Sequence, residues 1–499
     1  MKTTCMGIFC CAILPHILEA LPHIDVRTNS GLVRGLLSNV RGTEVASFLG
    51  VPYARSPEGE LRFRPPQKID PWSGVKEVTQ LATACHQTKD TAFPGFRGAE
   101  MWNPNTAMSE NCLQMNIWVP NGVRNATVMV WFYGGGFFYG SPSLEIYDGR
   151  AIASEGKVIV ININYRVASF GFLFLDDVEA PGNMGLLDQR LALEWIQENI
   201  VFFGGNPESV CLFGESAGGA SIFAHVLADS SRRLFKSIVI QSAALDNPWA
   251  MDDPSRAKAK SEQFVSLLNC SRPSAAEAVH CLRDKSPEQL NDALTKITVG
   301  FMEFPLVIVS QDRGGFFSND ALTALRNRSY DSRLNAMIGV NKDEFSFWSL
   351  YYLPKYFRRD EEVPMNEDGF AECIDLALAS MPLVMRNGIV HQYLGRNCNS
   401  SSRFYRDTIL NLLGDYFFTC DALWVADELS AVATNNVYLY QFSQHISTNP
   451  WPKWGGVMHG YEIEFVFGLP LLFPDNYTKE EAEFSEKIIY AWTSFAKNG

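Results

Sequence analysis

Between residues 128 and 240 the chain alternates short, β-branched apolar runs with stretches of helical spacing, and this pattern restricts the fold class more than any other feature. Residues 128–132, 158–163, 209–213 and 237–240 read as strands buried on both faces. Residues 186–203, with Leu187, Leu191 and Trp195 four apart, and residues 217–228 read as helices between them. Such a β-α-β order requires crossover connections, so the expectation is an α/β fold: a large, mainly parallel central sheet covered by helices on both faces. Further strands are expected at 335–340 and 437–440. No Pro/Gly/Ser-rich linker interrupts the chain, so residues 21–499 are read as one catalytic domain.

Charge and address narrow the partners. With 42 basic against 55 acidic side chains the net charge is −13, without a basic block, which argues against nucleic acid or an anionic membrane as partner. Residues 1–20 read as a secretory signal peptide: Lys2 opens it, an apolar stretch follows from Cys5 to Leu18, and Glu19-Ala20 offers a small-residue cleavage point. No other run reaches the roughly 18–20 apolar residues of a transmembrane segment. The expected location is therefore secreted and extracellular. Removing Cys5, Cys10 and Cys11 leaves eight of 11 cysteines for an oxidising compartment. Cys85 with Cys112, and Cys270 with Cys281, would each close a short loop, and Cys373 with Cys398 is a third pairing, although sequence does not fix connectivity. Cys211, inside an apolar strand, reads as a buried free thiol. Glycosylation sequons at Asn125, Asn269, Asn327, Asn399 and Asn476 agree with secretion.

Chemistry is concentrated at Gly214-Glu215-Ser216-Ala217-Gly218-Gly219, between a strand and a helix. A serine hydroxyl is a weak nucleophile and must be presented uncovered to a base. Glycines two before and two after it permit the tight turn that does so, and the following helix directs its N-terminal amides at a forming oxyanion. Upstream, Tyr133-Gly134-Gly135-Gly136-Phe137 follows a strand directly. Its side-chain-free backbone can approach an ester carbonyl, so Gly135, Gly136 and Ala217 are the expected oxyanion donors. A phosphate loop is the competing reading, but no Gly-Lys-Ser/Thr follows.

Chain order in such hydrolases is Ser, then acid, then His, which leaves His391, His445 and His459 as candidate bases. His459, in the glycine-flanked segment Gly455-Gly456-Val457-Met458-His459-Gly460, is the best placed to reach across the top of a sheet. The acid should leave the end of a strand, and both Asp343 and Glu344 do; spacing does not separate them.

These residues resemble the type-B carboxylesterase family. Gly214 to Gly219 and Glu110-Asn111-Cys112-Leu113-Gln114-Met115-Asn116 resemble its two signatures, the second with several substitutions. The likeness extends from Leu32 to Asn498 and is nearest the cholinesterases, through Met101-Trp102-Asn103-Pro104-Asn105, Ala180-Pro181-Gly182-Asn183, Asn206-Pro207 and the segment from His459 to Gly468. It implies an α/β-hydrolase fold and hydrolysis of acetylcholine through an acetyl-serine intermediate, with no metal or other cofactor. It implies a catalytic triad of Ser216, Glu344 and His459, and supports Cys85–Cys112 and Cys270–Cys281. It places a choline site at Trp102, Glu215 and Phe347, where aromatic faces suit an onium group that cannot donate a hydrogen bond. Asp90 falls near the mouth of the site, and Trp249, Phe301 and Phe304 fall at the acyl pocket.

Departures from the family pattern carry expectations of their own. Thr88 and Phe138 stand where tyrosines are typical, and no Trp occurs between Asp284 and Met302, so a weak outer cation site is expected. The family pattern continues past Gly499, so the C-terminal end reads as shortened, which leaves Cys420 without its usual partner. Two rivals share the fold: a broad carboxylesterase that needs no cation site, and a catalytically silent, neuroligin-like adhesion protein, which generally lacks a triad member.

Overall fold

Side-chain alternation along the central strands decides the layering. The computed structural model describes residues 22–330, 333–395, 401–431, 434 and 436–499; the proposed signal peptide, Cys398 and Asn399 lie outside them. Eleven strands form the main sheet: β1 (His23–Arg27), β2 (Leu32–Val40), β3 (Thr43–Pro52), β4 (Val75–Glu77), β5 (Gln114–Pro120), β6 (Ala126–Phe132), β7 (Ile159–Ile163), β8 (Gly205–Glu215), β9 (Ser237–Gln241), β10 (Asn335–Asn341) and β11 (Val437–Phe442). Their spatial order is β1-β2-β3-β5-β7-β6-β8-β9-β10-β11, with β4 beside β2.

Val128, Val130 and Phe132 of β6, with Val210 and Leu212 of β8, enter one core, while Met129, Trp131, Cys211 and Phe213 enter the other. Five helices matter for the site: α1 (Met184–Asn199), α2 (Ala217–Leu227), α3 (Pro254–Leu267), α4 (Phe345–Tyr352) and α5 (Lys479–Asn498). Helices α1 and α2 contribute to the first core; Ile489, Trp492 and Phe495 of α5 close the second. Every residue of α2 is buried, as expected of a helix apolar all round. Each fully buried Val, Leu, Ile or Phe contributes about 1.5–3 kcal/mol, so both faces of β6 and β8 anchor the residues at their ends.

Six of the ten pairings in this sheet are parallel, so the α/β architecture and the mainly parallel sheet are as expected. The half from β1 to β5, antiparallel apart from the short β4, was not foreseen. Strand β1 has no buried residue and β2 alternates buried with half-buried positions such as Arg34, so no continuous apolar run marks them; β3 and β5 bury side chains on both faces but begin with the polar Thr43-Glu44 and Gln114. Among the described residues one helical run, Ser402–Ser430, is long and apolar enough to cross a membrane, with mean hydropathy 1.2, but half of its apolar window is buried. Ile409, Leu412, Leu413, Phe417 and Phe418 pack into the first core, which makes this a helix of the protein interior.

The disulfides Cys85–Cys112 and Cys270–Cys281 are formed, and Cys211 is buried and unpaired. Cys420 is exposed without a disulfide partner among the described residues, and buried Cys373 has none there either. Asn125, Asn269, Asn327 and Asn476 are all exposed.

Candidate active site

Strand β8 ends on Glu215, and Ser216 caps α2 with φ 54° and ψ −125°. This sparsely populated conformation costs about 1–3 kcal/mol and is held by its surroundings. Ser216 N–H donates to the Gln241 carbonyl at the end of β9 (2.9 Å). A Cβ on Gly218 would stand 1.9 Å from the Phe132 carbonyl oxygen, and one on Gly214 would stand 2.7 Å from the same atom. The two glycines therefore let the turn pass against β6 and lift Ser216 over the sheet.

After β6 the backbone swings through Gly135 (φ 115°) and Gly136 (φ 60°). A Cβ on Gly136 would sit 2.6 Å from the Phe304 ring, so that aromatic packs directly on the glycine loop. The N–H groups of Gly135, Gly136 and Ala217 find no acceptor among the described residues. Unpaired buried donors are costly and uncommon, and these three, two of them on buried residues, are suited to an oxyanion.

The imidazole of His459 lies between two carboxylates. Its Nδ1 is 2.6 Å from Glu344 Oε2, and its Nε2 is 2.9 Å from Glu215 Oε1. Glu344 follows β10, and its other oxygen accepts from Asn341 N–H (2.6 Å), which fixes the carboxylate toward the ring. Burial alone would lower the His459 pKa, but Glu215 and then Glu344 outweigh it and raise the pKa well above the ordinary value. Ser216 and His459 line one cavity, yet Ser216 Oγ forms no hydrogen bond among the described residues. Such contacts are often long without substrate and tighten in the complex.

Asp343, the other candidate acid, faces away from the ring. Its Oδ2 accepts from Val457 N–H (2.8 Å), pinning the loop two residues before His459. His391 and His445 are exposed on other segments.

Trp102, Gly134, Gly135, Glu215, Ser216, Phe347, Trp348 and His459 line the same cavity. Gly460 (φ 80°) lets the backbone after His459 lie on the Trp102 indole, since a Cβ there would be 2.9 Å from Cη2. Asp90 accepts from the Tyr351 hydroxyl (2.7 Å). Beyond Phe347 a run of packed rings continues through Tyr351 (5.2 Å), Phe93 and the buried Trp451.

Of the residues expected at the acyl pocket, Trp249 and Phe304 form one wall: Trp249 meets Phe304 edge-on at 6.4 Å and Phe418 at 5.8 Å, and Phe418 lies 4.6 Å from the His459 ring. Phe301 is not brought to this wall. It packs on Tyr352 (5.1 Å), Phe417 (5.9 Å) and Phe345 (6.0 Å) instead, because Met302, at φ 54°, turns the chain between it and Phe304. Trp348 and Phe418 were missed from the sequence. Trp348 follows Phe347 directly on α4, a proximity that could have pointed to it, whereas nothing local marks Phe418.

Residues 22–499 match the model of the Carboxylesterase family. The chain is 47% identical to Acetylcholinesterase 4 of Caenorhabditis briggsae, over 96% of this chain and 82% of that protein. It is 41% identical to Cholinesterase of Mus musculus, over 95% of this chain and 78% of that protein. It is 40% identical to Acetylcholinesterase of Bungarus fasciatus, over 98% of this chain and 80% of that protein.

Proposed function

The chain belongs to the carboxylesterase family, and on that premise we propose that it hydrolyses acetylcholine to choline and acetate through an acetyl-serine intermediate. The observation that carries this reading is the strained Ser216 sharing a cavity with His459, whose Nδ1 is held by Glu344 at 2.6 Å.

The onium group of the substrate rests against Trp102 and Phe347, beside the Glu215 carboxylate. Each aromatic face supplies about 0.5–2 kcal/mol. That cation also offsets one of the two negative charges that hold a proton on His459. The ring releases its extra proton to water, and the neutral imidazole then takes the Ser216 proton on Nε2 as Oγ attacks the acetyl carbonyl. The amides of Gly135, Gly136 and Ala217 receive the oxyanion, each worth about 2.7–4 kcal/mol in the transition state. Glu344 steadies the imidazolium, which returns its proton to the departing choline oxygen. Water activated by His459 hydrolyses the acetyl-serine in the same way. Trp249, Phe304 and Phe418 bound the acetyl group and disfavour longer acyl chains, because overfilling a packed pocket costs about 1–3 kcal/mol.

Secretion fits the same reading: two disulfides and four exposed sequons suit an oxidising, glycosylating route. The deciding experiment compares kcat/KM for acetylthiocholine with that for its uncharged isostere, 3,3-dimethylbutyl thioacetate. A cholinesterase prefers the cationic ester by about tenfold or more; equal values would leave a broad carboxylesterase, and no turnover of either would leave a silent relative.

A further inference from the structure

Helix α3 lies outside the cavity, yet one of its faces grips the segment that carries Phe304. Arg256, Lys260 and Gln263 are spaced i, i+4 and i+7, so they form one stripe along the helix. Next to that stripe Ala257, Ser261, Phe264 and Val265 are buried, and they fix the orientation of the helix. Amphipathic spacing alone would send the polar stripe to solvent. Instead, each of its members binds residues 298–304.

Gln263 Nε2 donates to Thr298 Oγ1 (3.2 Å), and Thr298 N–H donates back to Gln263 Oε1 (3.3 Å). Arg256 pairs with Glu303, whose carboxylate also accepts from Gly300 N–H (2.9 Å). Lys260 is the deepest of the three, 8% exposed. Its ammonium donates to Asp252 Oδ2 (2.7 Å) and to the carbonyl oxygen of Phe304 itself (3.0 Å). Asp252 is in turn fixed by the short parallel pairing of Met251–Asp252 with Ile308–Val309 and by Arg256 Nε (3.1 Å). A buried ammonium is expensive unless paired, and here the Phe304 backbone is one of its two partners. The Phe304 ring lies on Gly136 of the glycine loop and edge-on to Trp249.

We infer that Lys260, supported by Arg256 and Gln263, is a positioning residue that sets acyl-chain selectivity by holding Phe304 against the glycine loop. The inference rests on the esterase reading of the same site. Lys260 touches neither substrate nor reacting atoms and acts only through Phe304. Without its bond the 298–304 segment loses its innermost anchor, the ring moves off Gly136, and the space it leaves admits a longer acyl group.

The test measures kcat/KM for acetylthiocholine and butyrylthiocholine in the wild type, Lys260→Met and Lys260→Arg. Lys260→Met should raise the butyryl-to-acetyl ratio by about tenfold or more, mainly through a higher kcat for the butyryl ester, since two methylenes become tolerated. Lys260→Arg keeps a donor for the Phe304 carbonyl and should stay within about threefold of wild type. If the lone Met variant fails to fold because buried Asp252 keeps only Arg256 as counter-charge, Lys260→Met/Asp252→Asn carries the same expectation without that carboxylate. An unchanged ratio in the folded variants overturns the inference while leaving the esterase reading intact. An equal shift in a variant destabilised to the same Tm by a remote substitution, Leu227→Ala on α2, also overturns it, because selectivity would then follow general loosening. A wild-type protein that turns over neither ester fails the functional reading and this inference with it.

Discussion

His459 Nε2 lies 2.9 Å from Glu215 Oε1, so the ring nitrogen that should face the nucleophile sits beside a carboxylate on the residue just before Ser216. With Glu344 on the opposite nitrogen, the imidazole keeps its proton to a higher pH than an isolated histidine. Charge on this one ring therefore connects substrate binding, rate and stability.

The pH profile should report that connection. The acid limb marks loss of the neutral base, and kcat/KM reads the free enzyme whereas kcat reads the complex. Because a cationic substrate offsets Glu215, the acid limb of kcat for acetylthiocholine should fall at lower pH than that of kcat/KM. In Glu215→Gln one charge is gone, and the kcat/KM limb should move down by about 1–3 pH units. The linked stability has a fixed sign. A raised histidine pKa stabilises the fold fully below the unfolded value of 6.5 and loses that contribution as pH rises through the folded value. Melting curves of wild type and Glu215→Gln from pH 5 to above the folded value of about 10 check it.

Trp102→Ala should separate the two ends of the substrate. Loss of one aromatic face should lower kcat/KM for acetylthiocholine by about 2–30-fold. For 4-nitrophenyl acetate, which carries no cation, the change should stay within about threefold. Steady-state kinetics on the two esters measure the contrast.

Phe301 and Phe304 are three positions apart but should behave differently. Phe304→Ala opens the wall beside Gly136 and should raise the butyryl-to-acetyl ratio by about tenfold or more. Phe301→Ala removes a ring packed on Tyr352, Phe417 and Phe345, so it should lower Tm and leave the ratio unchanged.

The fold itself has a buried ionic anchor. Arg166 and Asp188 form two side-chain bonds, of 2.7 and 2.8 Å, at 3% and 0% side-chain exposure. Asp188→Asn leaves the guanidinium buried without its counter-charge and should cost about 3–5 kcal/mol. Urea denaturation of the purified variant measures that loss.

What the sequence made legible was local. Ser216 and the Gly134–Gly136 loop could be read because their glycines satisfy steric demands within a few residues. The two-sided burial of β6 to β10 could be read because it removes polar residues from whole runs. Asp343 and Glu344 could not be separated by spacing, since both follow β10; the family resemblance pointed to Glu344, and the third dimension shows that Glu344 reaches the ring while Asp343 holds Val457. Phe418 was invisible for a different reason. It enters from a π-helical turn, Asp415–Thr419, inside a long apolar helix, and that extra residue per turn aims Phe418 at His459 with no compositional trace. Lys260 was equally hidden, since a lysine on an amphipathic helix ordinarily points to water.

Phosphorylation by diisopropyl fluorophosphate, followed by intact-mass analysis and peptide mapping, tests the covalent mechanism most directly. One phosphoryl group per chain should appear on the peptide containing Ser216, in step with loss of acetylthiocholine hydrolysis, and Ser216→Ala should be neither labelled nor active. Labelling at another residue, or turnover that persists in Ser216→Ala, would contradict the account.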